Sequence, residues 1–364
     1  MNTLSDLRAA AQIQMRVCTE TRAHTYAAIM EHIIGRLDAL DLGTKLDAVT
    51  DLVMNDPRDV RGSALYPRLL GAVHRIVLDH PDEELARWYP TAGGVTDVAR
   101  AVPAFFELVE RRHDEVASEM QVDVQTNEVG RSIPLAAAMS WVSERFGMPF
   151  ALYEVGASGG LNLWLDRYHI TLGNSSWGSP DSLLRLAGEL GSGKPGTTPF
   201  RFVTRRGCDQ RPLDVQSVLA RRILRSFVWS EHVDRLARLD RALEMFSPIP
   251  LERSGAVDWV AQQVRVTTPG AVSVFFHSIV MPYLSREERT ALDLMMIAAG
   301  VDATFDSPLV RVAMEPVDAD YTDIQVACDV WPPGERVVLA TCSPHGDVVY
   351  WNPGPVLPVP GTER

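Results

Sequence analysis

The sequence predicts an α/β protein in which an all-helical region precedes a mostly parallel sheet with an antiparallel C-terminal end. Three observations predict it. Up to about residue 125, apolar residues recur at three- and four-residue spacing with charges between them, as on amphipathic helices. After residue 150, short apolar runs alternate with helical stretches, the pattern of parallel strands joined by crossover helices. The last three apolar runs, "TDIQVACDV", "RVVLATC" and "DVVYW", are linked only by "WPPGE" and "SPHG", connections that suit antiparallel neighbours and are too short for crossovers.

The helical half includes "RAHTYAAIMEHIIGRL" and "VPAFFELVERRHDEVASEM", and Pro57, Pro67, Pro81, Pro90 and the Gly93-Gly94 pair punctuate it into several helices. It shows no fixed-period self-similarity, so a helical repeat array is not expected. "QTNEVGRS" (125–132) reads as a polar connection, with Ser132 as N-cap and Pro134 in the first turn of a helix that reaches Phe146 and stops at Gly147 and Pro149. Strands are expected over 150–155, 200–206, 249–253, 271–277 and 307–315, with helical stretches at 216–246, 256–264 and 285–299 between them. The domains are therefore expected to be residues 1–130, a helical lid or buttress, and residues 131–364, an α/β domain with a flexible, glycine-rich insertion at about 170–199.

Composition narrows the function classes. The chain has 364 residues, 46% hydrophobic and 23% charged, as in ordinary globular proteins. Its 35 Lys+Arg against 47 Asp+Glu leave a net charge of −12, which disfavours nucleic acid, a polyanion bound through clustered cations. Cys18, Cys208, Cys328 and Cys342 are scattered, with no histidine at metal-ligand spacing, so a reduced protein without bound metal is expected. The N-terminal residues lack a signal-peptide layout, and "AVSVFFHSIVMPYL" (271–284) is too short to span a bilayer. No membrane partner and a cytoplasmic location are the corresponding expectations; the oligomeric state stays open.

The stretch "ALYEVGASGGLNLWLDRYHI" (151–170) concentrates the chemistry. A buried strand ends in Glu154, five small residues follow, and Leu161 to Leu165 read as the start of a helix. Such a turn lets backbone approach a ligand closely. The pattern Glu154-x-Gly156-x-Ser158-x-Gly160 has nucleotide-fingerprint spacing. A carboxylate at the strand end repels a pyrophosphate and suits a cationic amine, so the ligand implied is positively charged and free of phosphate.

This stretch resembles motif I of class I S-adenosylmethionine-dependent methyltransferases, E/D-x-G-x-G-x-G, with Ser158 in place of the middle glycine. The resemblance implies a Rossmann-like methyltransferase fold, a seven-stranded sheet whose last strand is antiparallel, and S-adenosylmethionine as cofactor. It implies that Glu154, Gly156, Ala157, Ser158 and Gly160 line the cofactor, with Glu154 on the methionine amino end. "RRGCDQRPLDV" (205–215) resembles the second strand of that family and its G-x-D-x-x-P ending, making Asp209 the ribose acceptor and Asp214 the reserve candidate. In "LERSGAVDWV" (251–260) the backbone of Ala256 falls where adenine is read, while Asp258 also fits a first helical turn. "FFHSIVMPYL" places His277, Ser278 and Tyr283 on the substrate side, where a histidine can accept a proton near neutral pH or serve as a hydrogen-bonded core residue. Asn127, Glu128 and Arg131 fit a loop over the cofactor turn, with Arg131 on the methionine carboxylate, or a polar cap between domains. More narrowly, "QTNEVGRS", "YEVGASGGLNLWLDRY" and "RRGCDQRPLDV" together resemble a family of bacterial proteins of unknown function.

Methyl transfer to a small molecule is the expected function, with a non-catalytic ligand-binding or scaffold protein of the same fold as the alternative. A dinucleotide-dependent oxidoreductase ranks third because of Glu154. On this reading Gly156→Val abolishes cofactor binding and leaves the fold largely intact, provided the turn can absorb the side chain.

Overall fold

The structure, a computed structural model, describes residues 2–60, 62–245, 247, 249–266, 268–317 and 323–360. Phe246, at the end of the helical stretch expected over 216–246, and Thr322, at the start of the expected strand "TDIQVACDV", lie outside the described residues. The α-helices are α1 (Leu4–Glu20), α2 (His24–Asp41), α3 (Ala48–Met54), α4 (Leu65–Asp79), α5 (Val98–Arg111), α6 (His113–Glu119), α7 (Ser132–Phe146), α8 (Val218–Ser226), α9 (Val233–Met245), α10 (Ala256–Gln263) and α11 (Arg286–Val301). The strands are β1 (Phe150–Val155), β2 (His169–Leu172), β3 (Ser175–Trp177), β4 (Arg185–Ser192), β5 (Phe202–Asp209), β6 (Leu251–Arg253), β7 (Val272–Ser278), β8 (Leu309–Pro316), β9 (Ile324–Trp331), β10 (Glu335–Cys342), β11 (Val348–Trp351) and β12 (Leu357–Pro358).

Two compact units emerge: Met1–Thr126 with Gln216–Ala237, and Asn127–Val215 with Arg238–Arg364. The segment Gln216–Ala237 thus leaves the α/β region in which the sequence places it. Its docking explains the change. A Cβ on Gly71 of α4 would lie 2.6 Å from Cε1 of Phe227, so the ring packs directly on the helix backbone. One turn on, His74 Nδ1 meets the Ser226 carbonyl at 3.1 Å, and Arg75 donates to Ser226 Oγ at 2.9 Å. The periodicity of α8 is visible in sequence; the helix that receives it is not.

The helical unit buries an apolar core that includes Leu7, Ile29, Ile33, Leu69, Val73, Phe105 and Leu108. Two arginines of α4 are enclosed with it. Arg68, 0% exposed, donates to Asp56 at 3.0 Å, to the Met120 carbonyl at 2.8 Å and to the Ser63 carbonyl at 2.7 Å. Arg75 holds Glu119 through Nε at 2.6 Å. Buried cations survive only when paired in this way.

The second unit is built on a 12-stranded mixed sheet in the order β3-β2-β4-β11-β10-β9-β8-β7-β1-β5-β6, with β12 beside β10. β6, β5, β1, β7 and β8 are parallel neighbours. β9 then runs antiparallel to β8, β10 to β9 and β11 to β10. The sheet does not end there, as a seven-stranded sheet would: β4 pairs parallel with β11, and β2 with β4. These added strands are the segment expected to be a flexible insertion. Its glycines make room for neighbours. A Cβ on Gly191 would lie 2.3 Å from the Tyr350 ring, and one on Gly193 would lie 1.6 Å from the Trp351 carbonyl oxygen.

α7 contacts β2, β4, β8, β9 and β10, and Ser132–Ala138 are all buried. A helix enclosed on all sides needs small and apolar residues throughout, and "SIPLAAAMSWV" supplies them. On the opposite face of the sheet, Tyr153 and Phe275 stack at 4.6 Å between ring centroids and pack with Trp259 of α10 and Met296 of α11. From β1 the chain proceeds to β5 and β6 on one side and to β7 on the other. The strand order therefore reverses between β1 and β7, and in open parallel sheets ligands bind outside the carboxyl ends at such a reversal.

Candidate functional site

At the carboxyl end of β1 the backbone turns through three left-handed residues, Gly156 (φ 72°), Ser158 (φ 51°) and Gly160 (φ 74°). Two bonds donated by backbone N–H groups tie this turn to β5. Ala157 N–H donates to the Cys208 carbonyl at 2.9 Å, and Ser158 N–H donates to Asp209 Oδ2 at 3.0 Å. Asp209 Oδ1 accepts from Arg211 N–H at 2.8 Å, so this acid shapes its own loop as well as the glycine turn. The expected helix at 161 is a 3-10 segment, Leu161–Arg167. The reason lies in competing donors: the Tyr168 hydroxyl takes the Leu161 carbonyl at 2.5 Å and Arg205 Nε takes the Leu163 carbonyl at 2.9 Å. An α-helix would need both acceptors for its own i+4 amides.

The small residues of the turn meet protein side chains. A Cβ on Gly156 would lie 2.5 Å from Cγ2 of Val280, and one on Gly160 would lie 3.2 Å from Cδ2 of Leu251. A Cβ on Gly207 would lie 2.8 Å from that of Ala157. Val280 follows β7, so it lies over the turn where the strand order reverses. Ile279 before it has φ 54°, a left-handed conformation unusual for a β-branched residue.

Glu154 is 2% exposed, and its Oε2 has no hydrogen-bond partner among the described residues. Burial is the main cause that raises its carboxyl well above the usual range; Asp209 adds to the rise and Arg131 opposes it. Arg131 Nη1 donates to the Ser278 carbonyl at 2.8 Å and Nε to the Pro344 carbonyl at 3.1 Å. Asn127 Oδ1 accepts from Leu161 N–H at 2.9 Å, placing the 127–132 loop against the glycine turn. Glu128 Oε1 accepts from Gly130 N–H at 2.9 Å. Ser132, expected as an N-cap, is the first residue of α7, and its hydroxyl donates to Asn162 Oδ1 at 2.9 Å.

Farther along the same edge, His277 Nδ1 lies 2.6 Å from Glu315 Oε1 at the end of β8. The same carboxylate accepts from Val280 N–H at 2.9 Å and Met281 N–H at 3.2 Å. Tyr283 closes the 3-10 segment Met281–Tyr283 and is 52% exposed. Ala256 opens α10 beside β6, with Asp258 in its first turn, and Ser254 N–H donates to the Asp209 carbonyl at 3.0 Å. Asp214 is exposed. The acidic and glycine positions, Asn127, Arg131 and His277 thus fall along one end of the sheet. Glu315 belongs with them and was missed by sequence reasoning. Its one signal is a carboxylate closing the apolar run "LVRVAMEP", as Glu154 nearly closes "FALYEV".

Residues 8–351 match the model of a bacterial family described as "Uncharacterized protein conserved in bacteria (DUF2332)". The chain belongs to this family. No curated protein and no solved structure matches it. The DUF2332 match spans every residue of the candidate site. Among the described residues, no cluster of His, Cys, Asp or Glu could hold a metal ion, and no helix is long and apolar enough to cross a membrane.

The buried Glu154 carboxyl has a measurable consequence. Its folded pKa lies above the ordinary value of 4.5, so the folded state binds the proton more tightly than the unfolded chain. That contribution to stability is complete below about pH 4.5 and is lost as pH rises through the raised folded value. Glu154→Gln keeps the shape and removes the titration. Its melting temperature should exceed that of the parent at pH 8, with the gap closing toward pH 4. A gap that stays constant across this range would assign the effect to packing.

Proposed function

We propose that the carboxyl ends of β1 and β5 bind S-adenosylmethionine and that the protein transfers its methyl group to a small-molecule acceptor. One observation carries the reading: two acids, Glu154 and Asp209, stand at or next to the carboxyl ends of adjacent parallel strands beside the glycine turn, and one of them holds a buried oxygen without a partner among the described residues. A buried carboxyl in that state favours a ligand that brings an ammonium group, whose charge would restore its ionised form. Asp209 is acceptor-only when ionised, as ribose hydroxyls require. On this reading the Ala256 backbone, beside the end of β6, takes an adenine edge, and Asn127 and Arg131 take the amino-acid end. The reversal of strand order between β1 and β7 supports the same location.

The sulfonium supplies an already activated methyl group, so the chain's own residues need to align donor and acceptor and exclude water. His277, Ser278 and Tyr283 are the acceptor-side groups at the end of β7. A second reading, a ligand-binding or scaffold protein without catalysis, is favoured by Val280, because its contact with Gly156 accounts for that glycine by packing alone.

Calorimetry with S-adenosylmethionine, S-adenosylhomocysteine and NAD tests the proposal. Both sulfur nucleosides should bind and NAD should not. Asp209→Ala should weaken binding by about 1.5–3 kcal/mol, the range for a hydrogen bond to a charged group, while Asp214→Ala should leave it unchanged. Heat released by NAD alone, or by none of the three, would sink the proposal.

A further inference from the structure

We infer that His277 and Glu315 form an acid–base dyad that takes the proton from a phenolic hydroxyl of a small acceptor as that hydroxyl is methylated. The methyl donor rests on the reading above; the base rests on its own geometry. Three nitrogens converge on the Glu315 carboxylate: His277 Nδ1, Val280 N–H and Met281 N–H. Two backbone N–H groups already aim at the Glu315 carboxylate, which suits it as the acceptor, so in the dyad the imidazole donates through Nδ1 and turns Nε2 away from Glu315. Nε2 makes no hydrogen bond among the described residues, and 8% of the side chain remains exposed.

His74 in the helical unit shows the contrasting arrangement. Its Nδ1 meets the Ser226 carbonyl, its Nε2 meets Thr91 Oγ1 at 2.8 Å, and it is fully enclosed. Burial is the leading cause that lowers its pKa to about 4. Both ring nitrogens of His74 are used to hold the fold; only one is at His277. Glu315 is the positioning residue, since it acts through the imidazole and fixes its tautomer.

The acceptor class follows from what such a base is needed for. A carboxylate has no proton to lose near neutral pH, a thiol is already partly ionised there, and an amine that has shed its proton to solvent needs no base as it is methylated. A phenol, with a pKa of about 10, keeps its proton and gains from a neighbouring imidazole. As the phenol oxygen bonds to the methyl carbon, the carbon–sulfur bond breaks and its electron pair stays on sulfur. The hydroxyl proton passes to Nε2, leaving a methyl ether, a thioether and an imidazolium.

Two measurements on the whole chain test the inference. Nitrogen-15 spectra of labelled protein should show His277 protonated on Nδ1 with Nε2 bare, and Glu315→Ala should move the proton to Nε2. If that variant does not fold, the parent spectrum decides alone, and a bare Nδ1 there overturns the dyad whatever the methyl donor is. Transfer from labelled S-adenosylmethionine should reach phenol, catechol or 4-hydroxybenzoate. His277→Gln should slow it by about 10²–10⁴-fold at unchanged donor affinity, and added imidazole should restore part of the rate in His277→Ala. Donor binding with no phenol methylated overturns the role of the base. Failure of donor binding with Nδ1 protonated overturns the methyl-transfer reading and leaves the imidazole geometry standing.

Discussion

Gly156→Val is expected to cost stability before it costs binding. Two penalties combine at this position. The backbone sits at φ 72°, where a β-branched residue is strained by about 1–3 kcal/mol. The new Cβ would also stand 2.5 Å from Val280 Cγ2, and overpacking of this kind costs about 1–3 kcal/mol more. The sum, roughly 2–6 kcal/mol, is a large part of the stability of an ordinary domain. The sequence treats this glycine as a cradle for ligand, so that valine would empty the site and spare the fold; the contact with Val280 reverses that order. Urea unfolding should show the loss, and Gly156→Ala with Val280→Ala should recover the contact part while keeping the backbone part. A single valine variant with an unchanged urea midpoint would show that Val280 moves aside freely.

Asp56→Ala is the second large effect, in the helical unit. Arg68 is 0% exposed and Asp56 is 3% exposed, so removing the carboxylate leaves a guanidinium enclosed without its counter-charge. Breaking a buried pair from one side costs about 3–5 kcal/mol. The bonds from Arg68 to the Ser63 and Met120 carbonyls remain and hold the cost near the lower figure. Replacing both partners, as Asp56→Leu with Arg68→Met, should cost less than Asp56→Ala alone, because no fully enclosed charge is then left behind. Arg58, which also pairs with Asp56 at 3.3 Å, is partly exposed and keeps Asp123. If the double variant is the less stable, the pair contributes through attraction rather than through mutual neutralisation.

The parts legible in the sequence are those whose cause is local. Runs such as "FALYEV" and "VSVFFHS" become strands buried at every position, and continuous apolarity says so without knowledge of neighbours. β2 to β4 were illegible because their glycines answer to Tyr350 and Trp351, far along the chain. The 3-10 segment after Gly160 looks helical in sequence because the donors that claim its carbonyls, on Tyr168 and Arg205, carry no periodic signal. At the site, Glu154 and Asp209 stood out by motif spacing. Glu315 did not, since its partnership with His277 joins residues 38 positions apart on separate strands.

The pairing of β4 with β11 also orders events in time. β4 ends at Ser192, and its partner begins at Val348. During synthesis, β2, β3 and β4 can pair with one another soon after they emerge, but one edge of β4 has nothing to meet until β11 has been made. An open strand edge recruits other chains, and contacts between distant residues form slowly. Nascent chains halted before residue 348 should therefore clump more readily than chains carried past residue 351, and β11 acts as the stitch that ends this exposure.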